Sequence, residues 1–161
     1  MLKRMLLILV SLVLVSGIVA CNGNGTQNSQ PIKATWIEPQ VVGDVISIPI
    51  TEIENYTIID FRFRPQDRDM TFMAYELGGE TYVRANVCPP CQSIGFSLDE
   101  DTLVCDRCAT SFNAITGEGI SGACVGYPKA AVPYGIEGGS IVMNSSDLTA
   151  AYQDTVEPGG P

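Results

Sequence analysis

The sequence predicts a mainly β protein, a small antiparallel sheet or barrel carrying a two-knuckle, cysteine-rich metal-binding subdomain. Three observations lead there. Apolar residues between positions 45 and 87 recur with the period of a strand rather than of a helix. Gly78-Gly79 separates two such runs, as the turn of a two-residue hairpin does. Two Cys-x-x-Cys pairs, Cys88/Cys91 and Cys105/Cys108, stand with thirteen residues between them.

Bulk properties narrow the function classes. The chain has 161 residues, 45% hydrophobic and 17% charged, which rules out a disordered polyelectrolyte. Its net charge is −9, and loss of Lys3 and Arg4 with an export signal takes it to −11. No Lys/Arg cluster is present, so neither a nucleic-acid partner nor docking through anionic lipid headgroups is expected. There is no histidine. His-based acid–base catalysis, Ser-His or Cys-His nucleophile pairs and imidazole metal ligation are therefore excluded.

Residues 1–20 read as a secretory signal peptide. Lys3 and Arg4 form the positive region, Met5 to Val15 the apolar region, and Ile18-Val19-Ala20 the small-residue end before Cys21. The apolar run is shorter than the ~20 residues of a spanning helix. The ending resembles the lipobox of bacterial lipoproteins, which implies that Cys21 is acylated and that the folded part lies outside the cytoplasmic membrane, at the cell surface or in the periplasm. Residues 21–34, the lipidated cysteine and an Asn/Gly/Gln-rich run, read as a flexible tether reaching roughly 20 Å.

Residues 35–152 form the β domain. Val45 to Ile50 alternates and carries Pro49, the mark of an edge or strand end. Thr51 to Glu54 reads as a helical turn or loop. Tyr56 to Phe63 puts Ile59, Phe61 and Phe63 on one face and Asp60 and Arg62 on the other. Arg64 to Asp69 is a polar turn. Met70 to Leu77 and Glu80 to Val87 flank Gly78-Gly79. All are expected to be half-buried strands, with Met70 and Met73 as core rather than copper ligands. Beyond the cysteines, Ala130 to Tyr134 and Ser140 to Met143 read as strands joined by Gly135 to Gly139. Ser145 to Tyr152 reads as a helical turn with a Ser or Asp cap, and residues 153–161 as a loose tail.

The chemistry sits in residues 87–134. Two intervening residues let both sulfurs of one turn face one ion, and two such turns complete a tetrahedron. The thirteen residues after Cys91 are enough for a hairpin, with Gly95 and Asp99-Glu100-Asp101 at its turns and Leu103-Val104 on its return strand. Cys88, Cys91, Cys105 and Cys108 are the metal ligands this pattern names. Plain disulfides are the second reading, since an exported protein meets an oxidising compartment. With Cys21 lipidated, however, five cysteines remain, an odd number that leaves one unpaired. A thioredoxin-like pair is third, because neither motif has a strand-to-helix context. Zinc and an iron–sulfur cluster both fit. Pro89-Pro90 removes N–H donors from the first turn, Gln92 and Ala109 stand where zinc knuckles favour Gly, and Cys124 is an extra thiol; these tilt toward a cluster. Asp99-Glu100-Asp101 is a solvated turn rather than a catalytic or calcium site.

Two family resemblances follow from these residues. Residues 78–88, Cys105 to Cys108, Thr110 to Asn113, Thr116 to Gly119, Val132 to Tyr134 and Glu137 to Gly139 resemble the layout of Rieske-type ferredoxin domains, with Cys in place of the second ligand, His, of each pair. More closely, Ala85-Asn86-Val87-Cys88-x-x-Cys91, Gly95-Phe96, Leu103-Val104-Cys105-x-x-Cys108, Phe112 and Gly122-Ala123-Cys124 resemble the FtrD-like family of membrane iron–sulfur proteins over roughly residues 45–143. That family's usual Gly-Gly-Cys-Asn-Pro is here Gly122-Ala123-Cys124-Val125-Gly126-Tyr127-Pro128. The resemblance implies an iron–sulfur centre with four or five cysteine ligands, Cys124 being the fifth ligand or a lid. It also implies association with an iron permease and a copper-containing periplasmic redox partner. Members often carry many transmembrane helices, whose place a lipid anchor would take here. The expected function is electron transfer linked to iron uptake or a respiratory partner, without enzymatic activity; a structural zinc scaffold held by the four paired cysteines and a thiolate metal carrier are the alternatives.

Overall fold

A computed structural model describes residues 30–159. The expected signal peptide, Cys21 and most of the expected tether lie outside the described residues. The chain forms β1 (Ile32–Lys33), β2 (Thr35–Trp36), β3 (Gln40–Val42), β4 (Val45–Pro49), α1 (Ile50–Tyr56), β5 (Ile58–Phe63), β6 (Met70–Leu77), β7 (Glu80–Ala85), β8 (Phe96–Asp99), β9 (Thr102–Cys105), β10 (Ser111–Asn113), β11 (Gly119–Ser121), β12 (Gly135–Glu137), β13 (Ser140–Asn144) and α2 (Ser145–Val156). Three sheets result, ordered β1-β8-β9-β10-β11, β12-β13-β4-β3 and β2-β5-β6-β7. All pairings are antiparallel except β2 with β5. The mainly β, antiparallel prediction holds.

The β2-β5-β6-β7 sheet is the middle layer, and its alternation supplies both cores. Ile59, Phe61, Phe63, Met70, Phe72, Ala74, Val83 and Ala85 point one way and meet Ile46, Ile48, Ile141 and Met143 of the β4/β13 sheet. Ile53 of α1 and Leu148 and Ala151 of α2 close that core. Ile58, Met73 and Tyr75 point the other way and meet Phe96, Leu98, Leu103, Phe112 and the cysteines. Each fully buried side chain of this kind contributes roughly 1.5–3 kcal/mol. The expectation of half-buried strands is thus corrected for β5 and β6: both faces are covered, because the cysteine subdomain packs on the face that alternation assigned to Asp60. Asp60 itself is 2% exposed. Met70 and Met73 are core, as expected.

The hairpin at Gly78-Gly79 forms where the sequence puts it, with φ of 63° and 83°, the left-handed pair that a type I′ turn requires. Elsewhere the boundaries differ. Ala130 to Tyr134 is not a strand. Its backbone meets β7 at an isolated Arg84–Ala131 bridge, with Ala85 N–H donating to the Ala130 carbonyl and Val132 N–H to the Val83 carbonyl. Pro133 then has no N–H to continue the ladder. The strand pairing with β13 is instead β12, inside the run read as a connection. Thr51 to Glu54 belongs to the seven-residue α1. Helix α2 runs twelve residues to Val156, past Tyr152, because Leu148, Ala151 and Thr155 are buried along one side. Its N-cap position is Asn144, with no side-chain cap bond, rather than Ser or Asp. At the other end, Ile32–Lys33 of the tether region pairs with Leu98 and Ser97 of β8.

Candidate metal centre

The two knuckles are built to one plan. Each first cysteine ends a strand or leaves one: Cys88 follows β7 and Cys105 closes β9. The Cys88 N–H donates to the Ser93 carbonyl at 2.8 Å, and the Cys105 N–H to the Thr110 carbonyl at 2.9 Å. Both bonds span five residues. The residue four after each first cysteine, Gln92 or Ala109, lies in the left-handed region, with φ of 57° and 55°. These are the positions where the sequence lacks the knuckle glycine. The fold uses the same backbone anyway and carries its strain on side-chain-bearing residues. Asp106 ties the knuckles together: its N–H donates to the Gly95 carbonyl, and its Oδ1 accepts from Ser97 Oγ at 2.6 Å.

The Sγ atoms of Cys88, Cys91, Cys105 and Cys108 all lie within 4.8 Å of one another. Cys88 and Cys105 are buried and Cys91 and Cys108 half-buried, so the group has a buried and an outward side. Cys124 is also buried, with its Sγ 3.7 Å from that of Cys108; Cys91 and Cys105 are likewise 3.7 Å apart. Two thiolates on one tetrahedral ion with metal–sulfur bonds of ~2.3 Å sit ~3.8 Å apart, so these separations suit sulfurs sharing a metal. All five are free thiols, and the disulfide pairings are not formed.

Electrostatically, Cys108 differs from Cys88 and Cys105. Burial pushes the Cys88 thiol well up, with the Cys124 and Cys91 sulfurs adding to it and Lys129 opposing. Burial pushes Cys105 up too, against hydrogen bonds from Ser93 and from the backbone of Cys108 and Arg107. At Cys108 the same burial effect is outweighed by hydrogen bonds from the Thr110 hydroxyl and backbone, which bring it down to about 6. The first knuckle, with Pro89-Pro90, has fewer N–H groups to offer its sulfurs.

Three positioning residues escaped the sequence reading. Thr110 is fully buried; its Oγ1 lies 3.2 Å from Cys108 Sγ and accepts the Cys124 N–H at 3.2 Å, joining the fifth cysteine to the second knuckle. Gly122 makes this approach available: at φ 111° it lies so close that a Cβ would come within 2.6 Å of Thr110 Oγ1. Arg84 is buried and donates to Tyr75 Oη (2.9 Å) and to the carbonyls of Ala114 (3.3 Å), Ile115, Thr116 (3.2 Å) and Lys129 (2.8 Å). It clamps the loop between β10 and β11 against the segment after Cys124. Lys129 is 1% exposed, donates to the Val87 carbonyl at 2.7 Å and lies over the rings of Phe112 and Phe96. Burial draws its ammonium down to about 8, while Cys88, Cys105, Cys124 and Cys91 pull the other way. The signal for Lys129 was a lone cation in the apolar run Tyr127 to Val132. Nothing in the strand pattern marked Arg84, because an outward-facing charge is the ordinary reading of that position.

A two-knuckle, all-cysteine site on a small β domain defines a metal–thiolate protein. Residues 53–154 match the family model described as membrane iron-sulfur containing protein FtrD-like, and the chain belongs to that family. No curated protein sequence matches. Among solved structures, a chain from the complex of reduced oxygenase and oxidized ferredoxin in carbazole 1,9a-dioxygenase is similar at 18% identity, covering 65% of this chain and 95% of that one, with a TM-score of 0.53. A second, Sphingomonas yanoikuyae B1 ferredoxin, has 22% identity over 52% of this chain and 83% of that chain, with a TM-score of 0.43. The likeness of fold to Rieske-type ferredoxin domains holds, and the cofactor is an iron–sulfur cluster. The four convergent thiols fit such a group, which supplies one-electron redox chemistry when bound. No helix among the described residues is long and apolar enough to cross a membrane.

Proposed function

We propose that the protein is a lipid-anchored, extracytoplasmic electron carrier that passes single electrons to or from an iron permease system or a respiratory redox partner. Cys88, Cys91, Cys105 and Cys108 hold its iron–sulfur centre, and Cys124 covers it. The observation that carries this reading is the convergence of those four Sγ atoms within 4.8 Å, with Cys91 and Cys108 on the outward side. Cys88 and Cys105 anchor the site in the core, Thr110 and Asp106 orient the knuckles, and the apolar layer of Phe96 and Phe112 keeps water from its inner side. No residue set for substrate turnover is needed by this role. The acidic surface suits a cationic docking face on the partner.

Anaerobic purification with iron and sulfide analysis and an absorption spectrum tests the centre. A visible charge-transfer band that bleaches on reduction is expected; a colourless protein with one zinc refutes the reading. Labelling with a radioactive fatty acid tests the anchor: incorporation lost in Cys21→Ser, with release of the protein from membranes, is the expected result.

A further inference from the structure

Lys129 is buried, yet among the described residues no carboxylate pairs with it. The Arg64–Asp69 contact is the one ion pair among the described residues, and it lies on the surface. The Lys129 Nζ has a single hydrogen-bond acceptor, the Val87 carbonyl, one residue before Cys88. It sits 4.5 Å from the ring centre of Phe112 and 5.3 Å from that of Phe96, whose strand position faces Cys105. Both ring faces attract a cation. Its backbone is held as firmly: the carbonyl accepts from Arg84, and the N–H donates to Gly117. An unpaired buried ammonium is strongly disfavoured unless an anion answers it. Its contacts lead to the thiols of the candidate centre: Cys88 directly follows Val87, and Cys105 stands opposite Phe96 in the β8–β9 ladder.

We propose that the Lys129 ammonium is the built-in counter-cation of the iron–sulfur centre and that its charge raises the centre's reduction potential. This rests on the electron-transfer reading above. In the step concerned, one electron passes from an external one-electron donor to the centre, which gains one negative charge. No bond forms or breaks at Lys129, and it gives up no proton. A fixed positive charge in a low-dielectric surrounding favours the more negative, reduced state. It matters more here because the rest of the protein is strongly acidic and opposes electron uptake. Lys129 is thus a positioning residue for charge, not a ligand.

The test is an anaerobic potentiometric titration of the iron-loaded full chain, followed by visible absorbance, for the native protein, Lys129→Met and Lys129→Arg. Lys129→Met should shift the reduction equilibrium at least about tenfold toward the oxidised form, which is 59 mV for a one-electron couple. Lys129→Arg, which keeps the charge, should stay within about threefold of the native value. An unchanged potential in a loaded, redox-active Lys129→Met protein overturns the proposal and leaves electron transfer standing. A native protein that does not titrate at all removes electron transfer, and the proposal with it. Should Lys129→Met fail to load, nitrogen NMR of lysine-labelled, zinc-loaded native protein decides: a protected, charged ammonium supports the proposal and a neutral amine overturns it.

Discussion

Asp60 offers the sharpest test of how the two cores meet. The carboxyl lies on the face of β5 that the cysteine subdomain covers, with Oδ1 unpartnered; both side-chain polar atoms of nearby Asn86 are unpartnered as well. Burial raises its pKa from 3.8 to about 8, and the charge of Asp106 adds to the rise. An acid whose folded pKa is raised is protonated in the folded chain and ionised in the unfolded one between those two values. Its penalty is absent below the unfolded pKa and grows as pH climbs toward the folded pKa. At 1.36 kcal/mol per pH unit over about four units, the ceiling is about 6 kcal/mol. Asp60→Asn keeps the shape and abolishes the titration. The variant should exceed the native protein by at least about 2 kcal/mol at pH 8, and the gap should shrink to about a third of its size at pH 5. Anaerobic urea unfolding of both proteins at pH 5, 6, 7 and 8 measures this. A gap that is constant across the series, or one that widens toward pH 5, refutes the assignment of Asp60 as a buried neutral acid.

Other substitutions probe the clamp and the knuckles. Gly117 has φ 82°, and a Cβ there would overlap the Lys129 carbonyl oxygen and lie 2.6 Å from Arg84 Nη1. Gly117→Ala should therefore cost about 3 kcal/mol or more in unfolding free energy and speed loss of iron to a chelator. Ala109→Gly removes left-handed strain at φ 55° without touching the Cys105 carbonyl bond, and should stabilise by about 1 kcal/mol in the same urea assay. Cys124 stands outside the mutual four-sulfur group, so Cys124→Ser should retain iron and the visible spectrum, whereas Cys88→Ser should lose both. Iron analysis of the two variants checks this.

Much of the site was legible because its spacing is local. Cys-x-x-Cys puts two sulfurs on one turn whatever surrounds it, and the four do converge. The hairpin at Gly78-Gly79 was legible because only glycine readily supplies two consecutive left-handed residues. Ala130 to Tyr134 misled because its apolar residues fit a strand pattern, while Pro133 withholds the donor that a ladder needs. Helix α2 was cut short because Gln153 and Asp154 look like tail residues, although Thr155 beyond them is buried and accepts the Ala130 N–H.

By itself, then, the sequence determined the class of fold and which four cysteines could converge on one site, together with the exclusion of imidazole chemistry. Each follows from residue type and short-range spacing. What tertiary structure alone decided is the electrostatic setting of those ligands. Whether Asp60, Arg84 and Lys129 face water or protein depends on a second layer folding over the β5-β6-β7 face, and that layer comes from residues 86–129. Burial converts three ordinary surface charges into a neutral acid, a loop clamp and a cation held over the Phe96 and Phe112 rings, because a charge removed from water must find a partner or give up its charge.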